Sequence, residues 1–308
     1  MTGLKWTPLR EGAGVVIGPD GSTLARYDWR SANHPYFDRM RPLGHGGVLT
    51  NHAPHDHRWH HGLWWSWKFV NDVLFWEDHP DYGGNRLGLG RSIVTDHEVV
   101  HRDGAVVIRE QLAWRLDGTG EDLLIESRQV AMSVDLEAGD RWYLDWDQSW
   151  TSTVPVRLDS TPWPETSWGG YGGLNYRPAR SMGSGELLRG DGVSGASALH
   201  GARSPWAAYS GLLDGAETDD PDHPAEGGVA LLQHPANPRF PDPIYAFSAK
   251  DGFGFLATAP VMRDPLELAT GESLRIRTRV VVLDSSIDED ALAAAHERYC
   301  SAEEVRLA

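Results

Sequence analysis

The chain has a single cysteine, Cys300, in 308 residues. No disulfide can close within it, which fits a reducing compartment. It also lacks any long apolar run. No stretch approaches the roughly 18 uninterrupted apolar residues that a membrane helix needs. Basic residues are in deficit, 28 Lys and Arg against 44 Asp and Glu, for a net charge of −16. A surface so charged repels nucleic acid and anionic membrane, so neither is an expected partner. The opening stretch, MTGLKWTPLREGAG, has no basic start followed by an apolar core, so export is not expected and the expected location is the cytoplasm. No internal repeat, low-complexity tract or linker divides the sequence. A chain of this length can bury a core without disulfide or metal, and one domain over residues 1–308 is the expectation.

Helical periodicity is scarce as well, except near the C-terminus. In its place stand period-two alternation, β-branched residues and Gly/Pro/Asp turn signals. Strands are expected at 14–17, 23–27, 63–70, 92–101, 105–116, 123–134, 141–153, 228–234, 245–248, 252–257 and 273–283. In the clearest of these, Trp142, Leu144, Trp146, Gln148 and Trp150 share one face, and Tyr143, Asp145, Asp147, Ser149 and Thr151 share the other. A helix is expected over 288–303, capped by Ser286 or Asp288. Residues 160–224, rich in Gly, Pro, Ser and Trp, read as irregular loops. The fold class is all-β: a large antiparallel β-sandwich with a C-terminal helix.

What is abundant is tryptophan and histidine, fourteen of each. They are not spread evenly. Trp59, Trp64, Trp65, Trp67 and Trp76 fall within eighteen residues, and His34, His45, His52, His55, His57, His60, His61 and His79 within forty-six. Clustered imidazoles, which give and take protons near neutrality, point to acid–base work or metal ligation. His57 and His60 are the candidate acid and base, with Glu77 as a second proton carrier or as the group orienting a His. His55 and His57, one residue apart, with Asp56 between them, offer the alternative of a divalent metal site. No other cofactor is implied. Indole faces stack on the C–H faces of sugar rings while polar groups hold the hydroxyls, which makes Trp64 and Trp76 candidate substrate-binding residues. In an extended segment Trp65 and Trp67 face opposite to Trp64, so part of this set is core. Asp145 and Asp147, on one strand face, are a candidate carboxylate pair for glycoside chemistry.

The pattern His34-Pro35-Tyr36-Phe37, Arg41-Pro42, Asp56-His57-x-x-His60-x-Gly62-Leu63-Trp64 and Val70-Asn71-Asp72-Val73-x-Phe75-Trp76-Glu77 resembles a bacterial family carried under the label methane oxygenase PmoA, the PmoA-like proteins. Gly170–Arg177, Trp206-x-x-Tyr209-Ser210-Gly211, His234-Pro235-x-Asn237-Pro238-Arg239 and Leu268-x-x-Gly271-Glu272-Ser273-Leu274 extend the likeness over residues 30–285. Within the His-rich stretch only His57, His60 and Gly62 align with the family's His-Pro-His-His-Arg-Gly. Methane oxidation by a membrane subunit is excluded, because this chain has no segment able to span a bilayer. The resemblance implies instead a galactose-mutarotase-like supersandwich and a place in bacterial sugar catabolism.

The leading expectation is therefore a carbohydrate-active enzyme doing acid–base chemistry at a sugar ring, as a mutarotase, isomerase, lyase or hydrolase. Its partner is a small sugar or glycoside, free, oxidised or keto. His34, Arg41, Tyr171, Arg177, His234 and Asn237 join Trp64 and Trp76 as candidate substrate-binding residues, the two arginines offering a guanidinium fork to a sugar oxygen. The alternatives are a non-catalytic sugar-binding protein with Trp64, Trp76 and Tyr171 as its platform, and a metal-dependent enzyme. The sequence leaves the oligomeric state open.

Overall fold

The long strand Arg141–Ser152 follows its period-two pattern closely. Trp142, Leu144, Trp146, Gln148 and Trp150 are buried, while Asp145, Asp147 and Ser149 on the other face are half-buried and Thr151 is exposed. In this computed structural model, which describes residues 3–44, 46–79, 87–135, 138–215, 225–249 and 251–301, the strand lies inside an eight-stranded antiparallel sheet. From one edge to the other, that sheet runs Glu186–Arg189, Trp206–Leu212, Glu226–Gln233, Ser273–Leu283, Arg141–Ser152, Asp122–Val134, Ala105–Leu116 and Gly90–Arg102.

A second eight-stranded antiparallel sheet is built from Lys5–Arg10, Ala13–Ile17, Thr23–Asp28, Tyr36–Asp38, Leu63–Ser66, Gly173–Tyr176, Gly254–Thr258 and Ile244–Ser248, in that order. The two sheets pack face to face. Trp65 sits 5.1 Å and Trp67 5.3 Å from Trp150, ring centre to ring centre, and Phe37 meets Trp146 edge-on at 5.7 Å. Such aromatic pairs add about 0.5–1.5 kcal/mol each beyond the area they bury. A small sheet of Leu266–Leu268, Val156–Asp159, Phe69–Val70 and Val73–Leu74 completes the strands. The all-β sandwich with a C-terminal helix is the architecture expected from the sequence.

That helix, Glu289–Ser301, begins where the Asp288 carboxylate accepts the Ala291 N–H at 3.0 Å. Leu292, Ala295 and Tyr299 lie on the outer face of the first sheet, against Trp206, Ala208, Ala230 and Val281. Tyr143 is buried for this reason, although its strand neighbours Asp145 and Asp147 reach water. The expected end of the helix at Glu303 falls outside the described residues.

Two expectations need correction. Residues 160–224 contain the strands Gly173–Tyr176, Glu186–Arg189 and Trp206–Leu212. The last of these, WAAYSGL, shows no alternation because sandwich core and helix bury both its faces. The single strand expected over 63–70 is two strands in different sheets, Leu63–Ser66 and Phe69–Val70.

Candidate active site

Alternation in the second sheet creates the site. Phe37, Leu63, Trp65 and Leu256 point into the main core, whereas Tyr36, Trp64, Phe255 and Ala257 point to the opposite face and join Trp76, Tyr171 and Tyr245 in a second aromatic cluster. A cavity of about 420 Å³ opens on this cluster. Its walls are Trp59, Trp76, Trp168, Tyr171, Tyr245, Phe247, Phe253 and Phe255, with the polar groups Asp56, His57, His60 and Glu77 set among them.

The loop before Leu63 places the imidazoles. Two tight turns, His57 N–H to Pro54 C=O and His60 N–H to His57 C=O, both at 3.0 Å, curl it back on itself. Gly62, at φ +87°, returns it to the sheet; a side chain there would meet the Phe37 carbonyl oxygen at 2.5 Å. His60 is thereby buried, 4.8 Å from the His57 ring, 5.3 Å from Trp64 and 5.2 Å from Phe255. Its Nδ1 has no hydrogen-bond partner among the described residues. Burial, with the nearby charge of Arg177, pushes the His60 pKa well below the usual 6.5. His60 is therefore a neutral imidazole at neutral pH.

At the other end lies a buried triad. The Lys68 ammonium donates to both carboxylate oxygens of Glu77, at 2.6 Å to Oε2, and to the Tyr171 hydroxyl at 2.7 Å. The Tyr171 hydroxyl in turn donates to Glu77 Oε1 at 3.0 Å. Burial, then the adjacent Glu77 charge, pushes the Tyr171 pKa well above 10, so the phenol keeps its proton. Glycine at the start of strand Gly173–Tyr176 lets it lie close to strand Gly254–Thr258; a side chain on Gly173, at φ +149°, would run into the Thr258 carbonyl oxygen at 2.1 Å. Between the two ends stands Trp76, its ring centre 4.6 Å from Tyr171 and 6.2 Å from His60.

Beside His57 is a charged corner. Asp56 accepts from Arg180 at 2.7 Å, lies 3.2 Å from His57 Nδ1, and stands 3.6 Å from Arg177 Nη2. Burial works to raise the Asp56 pKa, but hydrogen bonds from its own amide and His57 and the charge of Arg177 outweigh it and hold it below the ordinary carboxylate value. Arg177 is fully buried, with its guanidinium 3.8 Å over the Phe253 ring, and burial pushes its pKa down to about 10.

Of the residues expected from sequence, Asp56, His57, His60, Trp76, Glu77 and Tyr171 line the cavity. Trp64 and Arg177 stand one layer behind: Trp64 backs His60 and Trp76, and Arg177 backs Phe253. Glu77 orients no histidine; its partners are Lys68 and Tyr171. His34 does not reach the cavity; it is buried flat against Trp64 at 5.9 Å, and edge-on to His61. Arg41 also falls outside, because its side chain donates to the Gly46 carbonyl at 2.8 Å in its own surface turn. His234 and Asn237 are structural. The Asn237 amide bonds both N–H and C=O of Arg277, at 2.8 and 2.9 Å, continuing the ladder where strand Glu226–Gln233 ends, and His234 Nδ1 accepts the Ala236 N–H at 3.1 Å.

The metal alternative is not assembled. Asp56 is committed to Arg180 and Arg177, His55 Nδ1 lies 3.4 Å from Arg180 Nη2, and among the described residues no three His, Cys, Asp or Glu side chains converge as a metal requires. Asp145 and Asp147 are not a catalytic pair either, because Arg279 and Arg275 clamp them in bidentate ion pairs. His45 lies outside the described residues. Sequence reasoning missed Lys68, Trp59, Trp168, Tyr245, Phe247, Phe253 and Phe255. Lys68 had a signal: a charge inside the apolar run Leu63–Val70 demands a buried partner.

Residues 14–297 match the model of a family of unknown function, DUF6807. The chain belongs to that family. Membership in an uncharacterised family agrees with the resemblance seen in the sequence, while the methane-oxygenase label is not part of the family's description. No curated protein matches this DUF6807 member in sequence. Among solved structures it is similar to a candidate kojibiose phosphorylase from the human microbiome, at 7% identity over 91% of this chain and 32% of that one, with a TM-score of 0.39. The chain thus spans about a third of that protein's length. It is also similar to an aldose epimerase homologue from C. elegans, at 9% identity over 94% and 100% of the two chains with a TM-score of 0.36. A galactose mutarotase related enzyme from Lactobacillus acidophilus gives 8% identity over 92% and 99%, with a TM-score of 0.34. No helix among the described residues is long and apolar enough to cross a membrane.

Proposed function

We propose that the cavity holds a sugar ring against Trp76 and that the protein catalyses proton transfer at that ring, as a mutarotase, isomerase, lyase or hydrolase of sugar catabolism in the cytoplasm. One observation carries this reading: the neutral imidazole of His60 and the hydrogen-bonded Tyr171–Glu77 pair flank the same indole. A ring lying on Trp76 has a proton acceptor at one edge and a proton donor at the other. His60 takes a proton from a hydroxyl or an acidified C–H, and His57, stacked on it and partly exposed, passes that proton towards water. The Tyr171 phenol, held by Lys68, turns its single proton from Glu77 to the oxygen on which charge develops when a ring is bound. The aromatic walls exclude water and supply apolar faces for the sugar.

A binding-only reading is favoured by the closed bonding of Glu77, whose oxygens Lys68 and Tyr171 already engage. Proton NMR in deuterated water, with a panel of sugars, 3-keto sugars and glycosides, separates the two. Anomeric exchange, ring-proton washout, elimination or hydrolysis supports the enzyme. Binding without change supports the binder. If nothing on the panel binds or changes, the sugar reading is abandoned.

A further inference from the structure

Behind the Asp56 end of the cavity lies a buried cation whose hydrogen bonds are incomplete. Arg177 Nη1 donates to the Gly254 carbonyl at 3.1 Å, but Nε and Nη2 are buried and find no hydrogen-bond partner among the described residues. These two nitrogens form one edge of the guanidinium, the edge that grips a carboxylate side-on through two parallel N–H···O bonds. Asp56 does not fill that role. Its Oδ2 stays 3.6 Å from Nη2, because Oδ1 is drawn to Arg180 and Oδ2 faces His57. Asp251, the other acid whose charge Arg177 feels, spends Oδ1 on the Phe253 amide at 3.0 Å. Among the described residues, two arginines and the imidazoles of His55, His57 and His60 thus face two carboxylates, within a chain of net charge −16.

The fork is also within reach of a ligand. Asp56 and Phe253, the two side chains against the guanidinium, both line the cavity. Arg180 is partly exposed, so Asp56 can follow it outward and keep its ion pair while another anion takes its place.

We propose that this end of the cavity is a carboxylate subsite, and that the sugar it takes is acidic, a uronate whose carboxylate displaces Asp56 and pairs with Nε and Nη2 of Arg177. The inference rests on the cavity being a sugar site. A planar, two-oxygen anion matches the fork; a neutral hydroxyl satisfies one of its donors and leaves the other buried and unpaired, which costs affinity.

Calorimetric titration of glucuronate against glucose, and of galacturonate against galactose, tests the inference. Each acid is expected to bind at least about tenfold more tightly than its neutral partner. Asp56→Asn removes the competing carboxylate and is expected to widen that ratio. Arg177→Lys keeps the charge, loses the fork, and is expected to bring the ratio close to one by weakening the acids. Should Arg177→Lys fail to fold, Asp56→Asn decides alone: a ratio that stays the same or falls overturns the subsite. Equal binding of acids and neutral sugars by the wild type also overturns it but leaves the sugar reading standing. Binding of none of them overturns both.

Discussion

Lys68 and Glu77 form a buried ion pair at one end of the cavity, in which one ammonium serves both oxygens of one carboxylate and a phenol besides. Removing one member strands the other charge in the interior, which costs about 3–5 kcal/mol. Lys68→Met is expected to lower the unfolding free energy by that amount in urea titrations. Lys68→Met combined with Glu77→Gln, which strands no charge, is expected to be at least about 1 kcal/mol more stable than Lys68→Met alone. If the double variant is no more stable than the single one, the pair is not coupled.

His60 and His57 differ in burial and so in expected effect. With whichever sugar is turned over, His60→Ala is expected to reduce kcat by about 10²–10⁴ while the sugar still binds. His57→Ala, which removes a relay to water that solvent partly replaces, is expected to cost less. Steady-state kinetics together with binding titrations check this. A His60→Ala enzyme with wild-type kcat refutes the assignment.

Stability is expected to fall with acid. Burial holds His34 and His60 well below their unfolded pKa of about 6.5, so between pH 7.5 and 5.5 the unfolded chain binds protons that the folded one does not. Each histidine then costs about 1.4 kcal/mol at pH 5.5, roughly 3 together, and His61, pushed down to about 3, acts in the same direction. Asp242, whose pKa burial pushes up to about 6, gains protons on folding in this range and returns about 1 kcal/mol. A net loss of about 2 kcal/mol or more is expected in denaturant unfolding at the two pH values. His34→Leu is expected to flatten the dependence.

Asn237→Ala is expected to leave turnover intact. The substitution breaks two side-chain bonds to the Arg277 backbone and orphans groups at a strand end, at a cost of about 1–3 kcal/mol in stability. A drop in kcat at temperatures where the variant is folded contradicts its placement outside the site.

Those expectations also show which features the sequence could carry. The strand Arg141–Ser152 was legible because its alternation is local, and the C-terminal helix because its cap and apolar spacing are local. His57, His60, Trp76 and Glu77 were legible because they lie close together along the chain. Tyr245, Phe253 and Phe255 were not. They reach the cavity only because Gly254–Thr258 pairs with Gly173–Tyr176 and Ile244–Ser248, a product of sheet order that no single window encodes. Asn237 and Arg41 misled for the opposite reason. A polar side chain within a conspicuous motif serves a backbone amide or carbonyl as readily as a ligand, and one-dimensional spacing does not distinguish the two uses.

Trp64 and Trp65 are neighbours on one short strand, yet one backs the cavity wall and the other fills the space between the sheets. Shifting that strand by a single residue exchanges their places, so its register is fixed twice over, once by each face. The cavity wall and the inter-sheet core share one hydrogen-bonded ladder, so a slip that disturbs one disturbs the other. Adaptation to a new ligand is then left to the His-rich loop around Asp56, the loop carrying Trp168 and the turn carrying Phe253, parts of the rim outside the inter-sheet core.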